Sequence, residues 1–129
     1  MREIRLDPSQ KVPEIDARVV GKRISAKVHL VFDTGSGITQ LDTAIVENIG
    51  YSARDAEKLL RVRGAAGEPV EGYVIKVKRL ALFGLDFRDV PVLCYDFDNF
   101  PEIDGLLGFD LIRQLHLELI GSEGILKVF

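Results

Sequence analysis

The chain has 129 residues, 47% of them hydrophobic and 29% charged, with a formal net charge of −3, a composition that fits one soluble globular domain over residues 1–129. With 17 Lys and Arg against 20 Asp and Glu there is no cationic excess to neutralise phosphates, which argues against nucleic acid as a partner. Cys94 is the sole cysteine, so an internally disulfide-stapled scaffold is excluded and a reducing, cytoplasmic setting is the easier fit.

The start, Met1-Arg2-Glu3-Ile4-Arg5-Leu6-Asp7-Pro8, interleaves charges where a secretion signal needs a continuous apolar stretch. Clean apolar runs such as Leu80-Ala81-Leu82-Phe83 fall far short of the ~20 residues that span a bilayer, so no membrane partner is expected for this chain. The extended, β-branched runs Ile15 to Val20 and Ile24 to Phe32 flank Gly21-Lys22 and predict a hairpin whose second strand delivers Asp33. After Leu41, Asp42 caps a short predicted helix with Ile45 and Ile49 on its core face and Gly50 at its end. Ser52-Ala53-Arg54-Asp55 has the form of a capping box, predicting at most one helical turn before the extended Leu60 to Arg63.

Gly64-Ala65-Ala66-Gly67-Glu68-Pro69 interrupts two extended runs, and Val70 to Leu82 alternates as a long strand, so a hairpin with a small-residue tip is predicted. Phe87 to Tyr95 reads as another strand, and Leu106 to Leu115 opens buried and becomes a short helix. Leu117 to Ile120 and Ile125 to Phe129 form a closing hairpin around Gly121 to Gly124. No internal repeat interrupts this series, which is the rhythm of a mainly β domain.

The chemistry concentrates in Val31-Phe32-Asp33-Thr34-Gly35-Ser36-Gly37, where a carboxylate follows an apolar strand at the mouth of a small-residue loop. Taken alone, Asp-Thr-Gly fits a turn with an aspartate cap equally well. Other chemistries lack their residues. His29 and His116 each sit in an apolar run without a second ligand at metal spacing, so no metal is expected. Cys94 lies in Val92-Leu93-Cys94-Tyr95, a core-strand setting for an inert thiol. Ser36 lacks the flanking glycines of a nucleophile elbow, Asp96-Phe97-Asp98-Asn99 lacks the rest of a calcium loop, and neither a phosphate loop nor a dinucleotide fingerprint is present, so no cofactor is expected.

The Asp33-Thr34-Gly35-Ser36 loop after a second strand, the hairpin with Gly64, Gly67 and Gly72, and the late Leu106-Leu107-Gly108-Phe109-Asp110 string occur in an order that resembles the retropepsin-like, single-lobe aspartic proteases. The likeness extends to the protease-like domain of the DNA-damage-inducible ubiquitin-shuttle proteins and to small prokaryotic relatives. It implies a closed β-barrel of the acid-protease type with one or two short helices and a flap hairpin. It also implies an aspartic endopeptidase acting on extended or unfolded protein segments.

In that family, water is activated between two aspartates. This chain has one Asp-Thr-Gly and no repeat, so the resemblance implies a homodimer with Asp33 contributed by each subunit. It assigns Thr34 a hydroxyl brace across the dimer, Gly35 close approach of the substrate backbone, and Gly64, Ala65, Ala66 and Gly67 the flap tip that closes over peptide. Leu106, Leu107 and Gly108 match the structural element behind the active loop. Ser36 would hydrogen-bond Asp33 and favour its ionised form, implying an acidic optimum, while Glu68 and Glu71 would place acidic charge near the cleft mouth and repel acidic substrates. Asp104 and Asp110 read as a turn residue and a helix cap. Two other outcomes stand beside the enzyme: a catalytically weak or inactive peptide-binding or dimerisation module, and a self-processing domain of a larger precursor.

Overall fold

The computed structural model describes residues 1–63, 69–97 and 103–129. The strands in chain order are β1 (Arg2–Arg5), β2 (Glu14–Val20), β3 (Ser25–Phe32), β4 (Gln40–Asp42), β5 (Lys58–Arg63), β6 (Pro69–Leu82), β7 (Leu85–Tyr95), β8 (Gly105–Leu107), β9 (Leu117–Ile120) and β10 (Ile125–Val128). Helix α1 spans Thr43–Asn48 and α2 spans Phe109–Ile112.

Six strands close on themselves in the order β2-β3-β8-β4-β7-β6, because β6 pairs back to β2 from Ala17↔Leu82 to Val20↔Arg79. This is the closed barrel expected of the resemblance, with two short helices. Alternation builds its core: along β2, Ile15, Ala17 and Val19 point inward between exposed Asp16 and Arg18, and β3 contributes Val28 and Leu30 in the same way. The start of β6 runs on past its pairing with β7, which begins at Tyr73, and pairs with β5, Lys58↔Val74 through Arg63↔Pro69, as the predicted hairpin. Its tip, with Gly64, Ala65, Ala66, Gly67 and Glu68, lies outside the described residues.

Several local expectations are refined. The β2–β3 register runs from Glu14↔Val31 to Val20↔Ser25, so the connection is Gly21 to Ile24 rather than two residues. The added length has a packing reason: a Cβ on Gly21 would stand 2.1 Å from the Ile49 carbonyl oxygen, and the Lys22 amide donates to that oxygen at 3.0 Å. Helix α1 is capped by Asp42 as expected and is followed by Gly50 at φ +103°, but Val46 and Ile49 form its fully buried edge while Ile45 packs at the side. Ser52 and Asp55 make the reciprocal capping box around the single turn Ala53–Asp55.

The closing hairpin β9–β10 forms a second sheet that β1 completes, with Arg2↔Val128 to Arg5↔Ile125. The sequence did not predict β1, because charges occupy three of its four positions and only Ile4 turns toward the core. The β6–β7 turn is tighter than expected. Phe83 and Gly84 both have positive φ, 55° and 77°, which lets β7 begin at Leu85 directly opposite Leu82.

Candidate active site

Asp33 sits where three chain segments meet. β8 lies between β3 and β4, parallel to β3 with Leu30↔Gly105 and Phe32↔Leu107, and antiparallel to β4 with Gln40↔Leu106. The loop from Asp33 to Thr39 must therefore cross over β8 to join β3 to β4. The Asp33 amide donates to the Leu107 carbonyl at 3.0 Å and continues the β3–β8 ladder by one residue, and the Phe32 amide donates to Pro13 at 2.9 Å. The carboxylate is thus carried on backbone anchored from both sides.

Within the loop, the Gly35 amide donates to Asp33 Oδ1 at 2.9 Å and the Ser36 amide donates to the Asp33 carbonyl at 3.2 Å. A Cβ on Gly35 would lie 3.2 Å from Asp33 Oδ1, crowding the carboxylate. Thr34 is exposed at the tip of this turn. Ser36 corrects an expectation: its hydroxyl donates to the Ile38 carbonyl at 2.7 Å and accepts from Gln40 Nε2 at 2.9 Å, so it braces the loop rather than Asp33. In this geometry the Ser36 hydroxyl supplies no reason for an acidic optimum.

The element behind the loop is clasped by Thr39, which is fully buried. Its hydroxyl donates to Asp110 Oδ1 at 2.9 Å and accepts from the Gly108 amide at 3.1 Å, while the Phe109 amide donates to the Ser36 carbonyl at 2.7 Å. Gly108 is required there, since a Cβ would meet the Ile38 carbonyl carbon at 2.6 Å. Asp110 is therefore not the helix cap that the sequence suggested. Gly108 occupies the cap position of α2 without a side-chain bond, and Asp110, in the first turn, receives Thr39. Asp104 is a clasp at the entry to β8, accepting the His29 amide on Oδ2 at 2.8 Å and donating its own amide to the His29 carbonyl at 3.0 Å.

A cleft of about 510 Å³ opens above Asp33. Gly35, Ser36 and Gln40 line its floor with Asp33, and Val31, Ile103 and Leu106 form an apolar wall. Tyr95 and Phe97, with ring centroids 4.4 Å apart, form an aromatic one, and Val12 and Arg63 complete it. Leu106 thus faces the cleft, whereas Leu107 is core. Burial pushes the Tyr95 hydroxyl above its usual range, so it stays neutral.

Of the residues singled out in the sequence, Asp33, Gly35, Ser36 and Leu106 converge on this cleft, with Leu107 and Gly108 directly behind it. Gln40, Arg63, Tyr95, Phe97 and Ile103 were not foreseen there. Tyr95 and Phe97 carry a legible trace of their role, being aromatic residues two apart at the end of a strand, but nothing local says which sheet face they join.

The remaining reactive groups are elsewhere. Cys94 is fully buried and its thiol is pushed up to about 12 by desolvation. His29 and His116 are exposed although each sits in an apolar run, His29 against Asp16 at 2.7 Å and His116 stacked on Phe129. Among the described residues no group of three His, Cys, Asp or Glu is placed to hold a metal ion, and no helix is long and apolar enough to cross a membrane.

In overall shape the chain is similar to a retropepsin-like aspartic protease from Rickettsia conorii, with TM-score 0.69 and 18% identity over 98% of this chain and 88% of that one. It is also similar to the EIAV protease solved with an inhibitor, with TM-score 0.63 and 19% identity over 84% and 91% of the two chains. The retroviral protease-like domain of Ddi1 from Leishmania major matches with TM-score 0.64 and 12% identity over 92% and 89%. None of the curated proteins matches in sequence. A family model described as aspartyl protease matches residues 15–111, the stretch from β2 through the start of α2 that holds the Asp33 loop, the hairpin and the clasp behind them. With that match spanning most of the chain and the barrel shared with solved retropepsins, this chain belongs to the aspartyl protease family.

Proposed function

We propose that the chain is an aspartic endopeptidase that works as a homodimer, with Asp33 of each subunit flanking one water molecule. The observation that carries this reading is the cleft floor. It presents one carboxylate, held by the Gly35 amide at 2.9 Å and backed by the Thr39 clasp, on a loop whose tip residue Thr34 is free to meet a second copy. Two such carboxylates brought within hydrogen-bond reach cannot ionise independently. They share a proton, so one acts as base toward the water while the other donates to the scissile carbonyl oxygen, as is general for aspartic proteases. A second chain is then part of the catalytic unit, and a twofold axis beside the Asp33 loops is the simplest way to supply it.

The substrate in this reading is an extended peptide. Arg63 at the end of β5 lines the cleft, and an extended strand between the hairpin and the Asp33 loop would exchange main-chain hydrogen bonds with both. Thr34 would brace the two loops, Gly35 would admit the peptide backbone, and Gly64 to Gly67 would close over it. The lone buried thiol of Cys94 suits a reducing compartment, and the cytoplasm is the setting we propose.

The test is cleavage of a diverse, unstructured peptide mixture by the native chain and by Asp33→Asn, read by mass spectrometry from acidic to neutral pH. Asparagine keeps the shape of the side chain but cannot share the proton. Cuts that vanish in a folded Asp33→Asn protein support the mechanism; cuts that persist there, or no cuts by a folded native dimer at any pH, refute it.

A further inference from the structure

The sequence placed acidic charge, Glu68 and Glu71, near the cleft mouth. Glu68 falls outside the described residues, and Glu71 stands opposite Arg61 in the hairpin register, outside the cleft lining. Among the described residues of the hairpin, the one that lines the cleft is Arg63, the last of β5, paired with Pro69 at the start of β6. Among the described residues of that lining, Asp33 and Arg63 are the charged ones. The others are apolar, glycine, neutral polar, or Tyr95, whose burial keeps it protonated.

We infer that Arg63 is a specificity-determining residue, selecting extended peptides that place a glutamate or aspartate side chain beneath the hairpin. This rests on the cleft being the peptide site proposed above. Three physical features carry it. First, the guanidinium is a planar fork of N–H donors that a carboxylate matches with two parallel hydrogen bonds, and it stays charged at every pH at which the protein is folded. Second, Val31, Ile103, Leu106, Tyr95 and Phe97 wall the same space with low-dielectric side chains, so a carboxylate entering it gains more from Arg63 than it would in open water. Third, Asp33 on the floor repels a carboxylate at the scissile position, whereas Arg63 on the hairpin side attracts one. The two charges therefore sort an acidic side chain toward the hairpin and away from the reacting bond. A lysine in the same subsite would meet like charge.

The experiment uses a short, neutral, unstructured peptide through which a single Glu is walked one position at a time, each member paired with its Gln counterpart. Glu and Gln have the same shape, so their ratio isolates charge. Cleavage is measured with the native chain, Arg63→Gln and Arg63→Glu, and binding by fluorescence anisotropy with Asp33→Asn and the double variant Asp33→Asn/Arg63→Gln. At one position the native chain is expected to prefer Glu over Gln by about tenfold or more in kcat/KM, the scale of one charged hydrogen-bonded pair. That ratio is expected to fall to about one in Arg63→Gln and to invert in Arg63→Glu.

The preference also has a pH signature. Tyr95 stays neutral over this range and a guanidinium stays charged, so the ratio should decay as the substrate glutamate protonates, near its ordinary value of about 4.3. A Glu-to-Gln ratio near one at every position in both cleavage and binding, or a ratio that Arg63→Gln leaves unchanged, overturns the inference. If the native chain cuts nothing while Asp33→Asn still distinguishes Glu from Gln through Arg63, hydrolysis fails as a reading and the specificity stands.

Discussion

One hydroxyl ties the Asp33 loop to the element behind it. Thr39 donates to Asp110 and accepts from the Gly108 amide inside a fully buried site, so its replacement by Val keeps the volume and strands two polar partners. Thr39→Val is expected to cost about 1–3 kcal/mol in urea unfolding, whereas Thr39→Ser should recover most of that loss. A Val variant as stable as the native chain would show that the bonds carry no net weight. Residue identity at this scale was partly legible in sequence. Asp33 stood out through its context, because Asp-Thr-Gly alone fits a capped turn and only the later hairpin and the Leu106 to Asp110 string, in order, set it apart. The direction of the Ser36 hydroxyl was not legible, since it depends on Gln40 and Ile38 being folded back beside it. Arg63 was invisible for the same reason: an arginine at the end of a strand looks like a solvated charge until the fold brings it to the cleft.

At the scale of elements, the site depends on how closely β8 passes between β3 and β4. Gly105 permits it. A Cβ there would lie 2.0 Å from the Gln40 carbonyl oxygen and 3.0 Å from the Leu41 Cα, both backbone atoms that cannot move without opening the barrel. Gly105→Ala should therefore lose more than about 4 kcal/mol or fail to fold, while Gly121→Ala, with nothing within 4 Å of its new Cβ, should leave the unfolding midpoint in place. Near-native stability of Gly105→Ala would mean that the three-strand contact is looser than described.

The strands themselves were largely readable, because β2, β3 and β6 alternate and the Ser52 to Asp55 cap is local. Pairing was not. β8 meets β3 and β4 across more than sixty residues of chain, in parallel and antiparallel registers at once, and no local pattern encodes that. β1 was missed because its apolar payload is one isoleucine and its stability comes from β10.

For the whole molecule, the proposed catalytic unit of two copies would make activity depend on the company each chain keeps. If native chain and Asp33→Asn are mixed in equal amounts and allowed to exchange, random pairing leaves about one quarter of dimers with two native carboxylates. Activity should fall to about that fraction of an undiluted native sample with the same total protein, and subunit exchange followed by native mass spectrometry would confirm the mixed species. A fall only to one half would mean that each chain works alone.

The threading of β8 between β3 and β4 also orders events in time. During synthesis, Asp33 leaves the ribosome long before Gly105, Leu106 and Leu107, yet its backbone amide has its partner only on Leu107. Closure of such a long-range contact is slow and comes late. The nascent chain can therefore carry Asp33 without shaping its loop, and the floor of the cleft is completed only once Leu107 has been made.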